Sequence, residues 1–296
     1  MNQPQSVRVA GRTIKVTNLD RVMYPGDGTT KAQVLSYLVS VARPLGHQIR
    51  DRILTRKRWP HGVAHEAFFE KNLPQGAPDW IHTVMAGRDP IRYPVMRESA
   101  PEAALAWFAQ LGVLEFHVPQ WKFDPDGTPL APDRIVVDLD PGPPAGLSEC
   151  RRVALAVRET VAGLGLTAHP VLSGSKGMQL YVPLPDDGPL RVGISTDQAS
   201  DFARSLAVTL EEAMPDLVVS RMTKALRPGR VLLDWSQNNG SKTTIAPYSL
   251  RGTDRSHVAA PLTWDEVEAG DLRQLTAVEV LERLAAFGDP LADPPM

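Results

Sequence analysis

Asp138 and Asp140 stand two residues apart in the segment Arg134-Ile-Val-Val-Asp138-Leu-Asp140-Pro-Gly142. A β-strand alternates its faces, so both carboxylates project from one side. Like charges on one face repel each other and call for a compensating cation. A divalent metal is the economical answer, and oxygen-only ligands favour Mg²⁺ or Mn²⁺ over Zn²⁺. Asp234 closes a second apolar run, Val231-Leu-Leu-Asp234, in the same manner. Three carboxylates could hold two metals roughly 3.5–4 Å apart, the arrangement used for phosphoryl and nucleotidyl transfer. The plainer reading is that Asp-Pro at a strand end makes a turn.

Chemistry on a polyphosphate also needs donors and cations. Ser173-Gly174-Ser175-Lys176-Gly177 offers two glycines that would let backbone N–H groups converge on an anion, with hydroxyls and an ammonium nearby. It is not a Walker loop, and many hairpins read this way for turn reasons alone. Gly240-Ser241-Lys242 and Arg251 follow Asp234, and His117 in Glu115-Phe-His117-Val-Pro-Gln-Trp121 is a further candidate phosphate contact. A buried structural histidine is the alternative there. Thr55-Arg56-Lys57-Arg58-Trp59 and Phe68-Phe69 combine cations with aromatics, which suits backbone contact plus base stacking. One of two adjacent phenylalanines on a strand should face away from the core. Lys31 lies in the first turn of a helix capped by Thr30, where a cation opposes the helix dipole. An anion such as a DNA 5′-phosphate would reconcile the two, with Arg21 joining.

These residues need a frame. Strand signals fall at Arg134–Leu139, Ala168–Leu172, Met178–Val182, Leu217–Ser220 and Arg230–Trp235. Helical periodicity follows Thr30 through Leu45, spans Pro101–Leu111 and Thr196–Met214, and runs from Ser148 to near Gly165. Thr263 with Glu266 and Thr276 with Glu279 are capping-box pairs opening two late helices. Helices and strands alternate irregularly, which predicts an α+β (mixed α/β) domain with a central mixed sheet flanked by helices. The 27 prolines cluster at Asp124–Pro132, Pro141–Pro144, Pro183–Pro189 and Asp289–Pro295, none long enough for an interdomain tether. One domain over residues 1–290 and a proline-rich tail over 291–296 are expected.

The composition sets bounds. Cys150 is the single cysteine, which excludes an internal disulfide and cysteine-built metal sites. The formal net charge of −2 argues against a nucleic-acid coat protein, which would be basic. No apolar run reaches membrane-spanning length and the N-terminus lacks a signal-peptide core, so a cytoplasmic protein is expected.

Taken together, the motifs resemble the polymerase domain of bacterial ligase D, a branch of the archaeo-eukaryotic primase superfamily. The stretches that carry the resemblance are T-N-L-D-R-V-M-Y-P (17–25), T-T-K (29–31), T-R-K-R-W-P (55–60), A-F-F-E-K (67–71), E-F-H-V-P-Q-W (115–121), V-D-L-D-P-G (137–142), S-G-S-K-G (173–177), D-W-S-Q-N (234–238) and S-K-T-T-I-A-P-Y-S-L-R-G (241–252). They run in family order along nearly the whole chain. The resemblance implies a primase-polymerase fold and Mn²⁺- or Mg²⁺-dependent addition of nucleotides, often ribonucleotides, to DNA ends in nonhomologous end joining. It implies that Asp138, Asp140 and Asp234 are the catalytic metal ligands. Ser173, Gly174, Lys176 and Arg251, with His117, Gln179, Gln237 and Lys242 close by, would hold the triphosphate. Lys57 and Phe69 would meet the incoming nucleotide or template base, and Phe68 the template stack. Asn18, Arg21 and Lys31 would form the pocket for a downstream 5′-phosphate, and Arg227 would serve as a basic DNA contact. Ku and a DNA ligase are implied as partners, and association with the nucleoid as the location.

One departure is chemical. The family reads S-G-S-K-G-x-H-x-Y, whereas this chain has Gln179 at the histidine position. Glutamine donates a neutral hydrogen bond and carries no charge. That implies weaker triphosphate binding or altered local geometry. The other departure is scale: no ligase or nuclease module is present, leaving a stand-alone paralogue and an excised domain both open. A noncatalytic DNA-end binding or synapsis module is the competing function. A metal phosphohydrolase would share the carboxylates without explaining the basic-aromatic stretches.

Overall fold

The computed structural model describes residues 5–86, 91–97, 100–184 and 193–292. Residues 293–296 of the expected tail and 185–189 of the expected proline loop lie outside the described residues.

The apolar runs around the three aspartates become one mixed sheet. An antiparallel sheet, assembled from shorter and more polar segments, lies beside it. In chain order the strands that position the site are β1 (Thr55–Arg58), β2 (Phe68–Glu70), β3 (Val113–Val118), β4 (Arg134–Pro141), β5 (His169–Leu172), β6 (Met178–Pro183), β7 (Val218–Val219), β8 (Val231–Asp234) and β9 (Thr244–Ile245). The five-stranded sheet has the order β5-β6-β4-β8-β7, antiparallel except for the β7–β8 pair. The four-stranded sheet has the order β9-β3-β1-β2 and is antiparallel throughout. The expected mixed sheet is present. The second sheet was not foreseen, because Thr-Arg-Lys-Arg in β1 lacks apolar character and β2 and β9 are very short.

The helices follow their capping signals. Thr30 and Gln33 form a capping box that opens α1 (Lys31–Ser40). The single helix expected through Leu45 is instead two. The chain breaks at Val41 and restarts as α2 (Ala42–Ile49). Pro44 explains the break: proline fits a first helical turn but would clash with a carbonyl four residues back in a helix interior. Next come α3 (Glu102–Gln110) and α4 (Leu147–Ala162), the latter capped at Gly146 rather than at Ser148. The Glu149 carboxylate accepts the Gly146 N–H at 2.7 Å. Ser195 caps α5 (Thr196–Ala213), and α6 (Trp264–Ala269) and α7 (Ala277–Phe287) begin at the two late capping boxes.

Helices α4 and α5 pack on the five-stranded sheet, while α3 packs on β3 and on α1. A continuous apolar core joins these layers and includes Cys150, Leu139, Val153 and Phe116. Leu291 is also buried in it. Among the described residues no helix is long and apolar enough to cross a membrane.

Strand β4 needs a partner beyond the end of β8, and Asn238 supplies it. Its side-chain Oδ1 accepts the Val136 N–H at 2.8 Å, and its Nδ2 donates to the Val136 carbonyl at 2.8 Å. The amide thus continues the ladder two residues from Asp138. Asn238→Ala would strand both backbone groups in a buried place, where an unmade hydrogen bond costs about 1–3 kcal/mol each. Urea unfolding should register a loss of about 2–6 kcal/mol for this variant, against little change for the exposed Asn239→Ala.

Candidate active site

Strand register gathers the carboxylates. Asp138 on β4 lies directly between Gln179 on β6 and Asp234 on β8. Asp140 shares the face of Asp138, while Val137 and Leu139 point into the core. The Gln179 Nε2 donates to Asp138 Oδ1 at 3.2 Å. Asp234 Oδ1 accepts from the Ser236 N–H and hydroxyl at 3.0 and 2.5 Å, and Oδ2 from Gln237 Nε2 at 2.8 Å. Burial, and then the charges of Asp140 and Asp234, push the Asp138 carboxyl up to about 7, with the Gln179 hydrogen bond acting the other way.

This donor set fits a hard divalent cation. Its charged groups are carboxylates, with amide and hydroxyl oxygens beside them and no thiolate. The raised proton affinity of Asp138 reflects burial first and then the negative charge of Asp140 and Asp234, and a bound cation would oppose it. Among the described residues no three or more His, Cys, Asp or Glu side chains stand placed to hold a metal ion together as they are. Asp234 is turned onto Ser236 and Gln237, so it would exchange one of those hydrogen bonds for a metal.

Asp138 and Asp140 face a cleft of about 300 Å³, whose lining does not include Asp234. Asp138, Asp140, Gln179 and Gln237 line one side, and His117, Ser173, Lys176 and Arg251 complete it. Lys176 Nζ stands 3.9 Å from Asp140 Oδ1 on an exposed side chain. The 173–177 loop is not the simple anion nest its sequence suggests. The N–H groups of Ser175 and Gly177 turn inward onto the Ser173 hydroxyl, at 3.2 and 3.1 Å. Gly174 has φ +70°, and a Cβ there would lie 2.4 Å from Arg251 Cγ. Glycine is therefore what lets Arg251 lie against this loop. Lys242 is not in the cleft. It lines an adjoining groove of about 840 Å³, which shares Thr243 with the cleft.

The antiparallel sheet supplies the opposite wall. Phe69, Lys57 and Glu115 sit in register across β2, β1 and β3. Lys57 Nζ lies 5.2 Å from the Phe69 ring and 4.8 Å from the Trp59 ring. The rings of Phe69 and His117 are 6.1 Å apart. Both phenylalanines are exposed, Phe68 at 53% and Phe69 at 66%, so the expectation that only one would face away from the core is corrected. They ride on a three-residue edge strand, whose outer side no further strand covers among the described residues. The basic run is also less basic than it reads. Arg56 is fully buried against Glu70 and the Phe108 ring, and Arg58 pairs with Glu70 at 2.6 Å. Of the three cations, Lys57 is the one whose ammonium lies over exposed Phe69, beside Trp59.

Glu115 was quoted in a motif but given no role by its sequence. It is buried, and its carboxylate meets His117 Nε2 at 2.8 Å, the Gly252 N–H at 2.9 Å and Arg251 Nε at 3.8 Å. Although burial opposes ionisation, these partners hold its carboxyl at about 2. The available signal was an acidic residue inside an otherwise apolar strand, two positions from a histidine.

Asn18, Arg21 and Lys31 converge in one turn. Asn18 adopts a left-handed backbone (φ 52°), and its carbonyl accepts the Arg21 N–H at 3.1 Å. The Arg21 carbonyl accepts the Lys31 N–H at 2.8 Å. Lys31 is buried rather than solvated, its Nζ donating to the Thr17 carbonyl at 3.1 Å. Burial and then the Arg21 charge lower the Lys31 ammonium to about 8. Arg227 lies beyond the C-terminal end of β4, against Gly142. A Cβ on Gly142 would fall 2.1 Å from the Arg227 carbonyl oxygen, so the two segments touch backbone to backbone. Its guanidinium donates to the Met222 carbonyl at 2.9 Å.

Known proteins match both the chain and its fold. The family model for the primase-polymerase domain of LigD matches residues 30–291. The multifunctional non-homologous end joining protein LigD of Mycolicibacterium smegmatis is 49% identical over 281 residues, covering 94% of this chain and 36% of that protein. The bifunctional non-homologous end joining protein LigD of Bacillus subtilis is 30% identical over 95% of this chain and 44% of its own length. The polymerase domain of Mycobacterium tuberculosis ligase D, solved in complex with DNA, superposes with a TM-score of 0.87 at 46% identity. That match covers 95% of this chain and 99% of the solved one. The chain thus spans well under half the length of the curated relatives it matches, and the similarity runs through their polymerase module. It belongs to the LigD primase-polymerase domain family, and with it to the nucleotidyltransferases.

Proposed function

We propose that this chain adds nucleotides to DNA 3′ ends and fills gaps during nonhomologous end joining, using divalent metal. The observation that carries the reading is the row Gln179–Asp138–Asp234 across three paired strands, with Asp140 on the same face. Gln179, Asp138 and Asp140 of this group line a cleft that also holds Lys176 and Arg251. Relatives named for end joining, and a related domain solved with DNA, support the same assignment.

Asp138, Asp140 and Asp234 would hold Mn²⁺ or Mg²⁺, which when bound supplies a lowered pKa to a primer hydroxyl and charge compensation to a departing pyrophosphate. The protein residues do the rest. Lys176, Arg251 and His117 offer cations and donors to a triphosphate entering the cleft, and Ser173 shapes the loop beneath it. Gln179 departs from the family histidine by tethering Asp138, so the carboxylate is oriented before substrate arrives. Lys57 and the exposed Phe69 present a cation and a ring face to a base, and Phe68 extends the stacking surface. Asn18, Arg21 and Lys31 form a half-buried cationic turn suited to a 5′-phosphate, and Arg227 offers a further contact to DNA. Ribonucleotides are the expected substrates through the family resemblance, and Ku and a ligase the expected partners.

Extension of a gapped primer bearing a downstream 5′-phosphate, with Mn²⁺ and either rNTPs or dNTPs, tests this directly. Wild type should extend, with rNTPs ahead, and Asp138→Ala should lose about 10³-fold or more. Tight 5′-phosphate-dependent binding without extension would instead favour an end-binding module.

Acidity gives a second test. A proton on Asp138 competes with metal, so Mn²⁺ affinity should fall about tenfold per unit as pH drops below about 7 and level off above it. In metal-free protein the sign reverses. A carboxyl raised from 3.8 to about 7 binds protons more tightly when folded, so its contribution to stability grows as pH falls from about 7 toward 5. Asp138→Asn should flatten both profiles, by Mn²⁺ titration and chemical denaturation.

For the cationic turn, Lys31→Ala should weaken binding of gapped DNA by roughly tenfold with a 5′-phosphate and little with a 5′-hydroxyl, the loss of one charge-assisted contact. Equal losses on both DNAs in an anisotropy titration would remove this assignment.

A further inference from the structure

One buried carboxylate beside the cleft has no part in the mechanism above. Glu115 projects from β3 on the same face as His117, two residues on, and directly across from Lys57 of β1. It is 4% exposed, in a strand whose other residues except His117 are buried and apolar. An ionised carboxylate in such a place is unfavourable unless several donors meet it. Two do, His117 Nε2 and the backbone N–H of Gly252, and Arg251 Nε stands 3.8 Å away as a counter-charge. Two of these partners, His117 and Arg251, line the same cleft as Asp138 and Asp140.

The carboxylate also decides how His117 can act. An ionised carboxylate only accepts hydrogen bonds, so the ring nitrogen facing it must carry a proton. Nε2 is therefore the donor to Glu115, and Nδ1 is the nitrogen left for the cleft. Arg251 is held from both sides, by Glu115 at its Nε and by the Gly174 turn against its Cγ. The Arg251 Nε is buried with no hydrogen-bond partner, so Glu115 acts on it as a counter-charge rather than as a second acceptor.

We infer that Glu115 is a positioning residue for the incoming triphosphate: one buried carboxylate that fixes the ring orientation of His117, with a proton kept on its Nε2, and the approach of Arg251, so that both side chains stand aligned when phosphate oxygens arrive. The inference rests on the nucleotidyl-transfer reading of the cleft and deepens it. It casts Glu115 as a support for residues that touch substrate, without touching substrate itself.

Glu115→Gln tests it, because the amide keeps the shape, loses the charge and presents donors where an acceptor is needed. Binding of Mg²⁺-ATP, Mg²⁺-ADP and AMP is measured without DNA, beside kcat and KM in gap extension. The variant should weaken ATP binding and raise the NTP KM by roughly tenfold, as for one misaligned charge-assisted contact, with kcat changed much less. The loss should shrink from ATP to AMP, and binding of 5′-phosphorylated DNA should be unchanged. In His117→Ala the same substitution should do much less, because part of its effect passes through His117. Unchanged ATP binding in a folded Glu115→Gln protein would overturn the inference, and so would equal losses for ATP, AMP and DNA, which mark a merely structural role.

If that variant does not fold, the wild type still answers. A long-range ¹H–¹⁵N imidazole spectrum should place the His117 proton on Nε2 before and after ATP is added, and a ring protonated only on Nδ1 would overturn the inference. ATP binding and gap extension by the wild type are read first. Failure of both would bring down the polymerase reading, and this inference with it. Wild-type binding that Glu115→Gln fully retains would bring down only the role of Glu115.

Discussion

Repulsion among Asp138, Asp140 and Asp234 is the constraint around which this molecule is arranged. Three carboxylates on two paired strands, partly buried, oppose folding unless something answers their charge. The protein answers in part, with neutral donors. Gln179 reaches Asp138, while Ser236 and Gln237 reach Asp234. None of these carries charge, and Lys176 stands at 3.9 Å from Asp140 on an exposed chain. The site therefore stays electrostatically hungry, which is the condition for binding a cation and a polyphosphate together.

Rigidity around the carboxylates comes from both sheets. Strand β4 is paired on each side, and Asn238 continues its ladder with a side chain where β8 ends. Behind it, Tyr181 on β6 donates its hydroxyl to the Ile245 carbonyl of β9 at 2.7 Å, a bond that ties the mixed sheet to the antiparallel one. The buried Arg134 guanidinium lies 5.0 Å from the Tyr181 ring and donates to Gln120 at 2.8 Å. The two walls of the cleft are thus held relative to each other by buried polar contacts, not by loops alone.

The sequence was most readable where chemistry and periodicity coincide. Asp138-x-Asp140 on an apolar run had to place both carboxylates on one face, and the strands, the late helices and their capping boxes follow their local signals. Register was not readable in the same way. Nothing local says that Asp234 faces Asp138, or that Gln179 sits on its other side. Resemblance to known motifs supplied that grouping. The antiparallel sheet escaped notice because polar and very short segments form it. Glu115 escaped because its partner at Gly252 is 137 residues away. Burial of Lys31 and Arg56 was hidden for a related reason: a long basic side chain reads as solvated until the fold supplies carbonyls and rings to receive it.

The central claim is that the three aspartates form one cation-binding centre, and Mn²⁺ binding followed by electron paramagnetic resonance addresses it most directly. Wild type titrated in the presence of ATP should bind Mn²⁺ beyond what ATP alone retains. Asp138→Asn and Asp234→Asn should each lower that affinity by roughly tenfold or more, as expected when one charged ligand is lost. Binding in both variants equal to that of wild type would contradict the account, because it would separate the aspartates from the metal and the cleft from its chemistry.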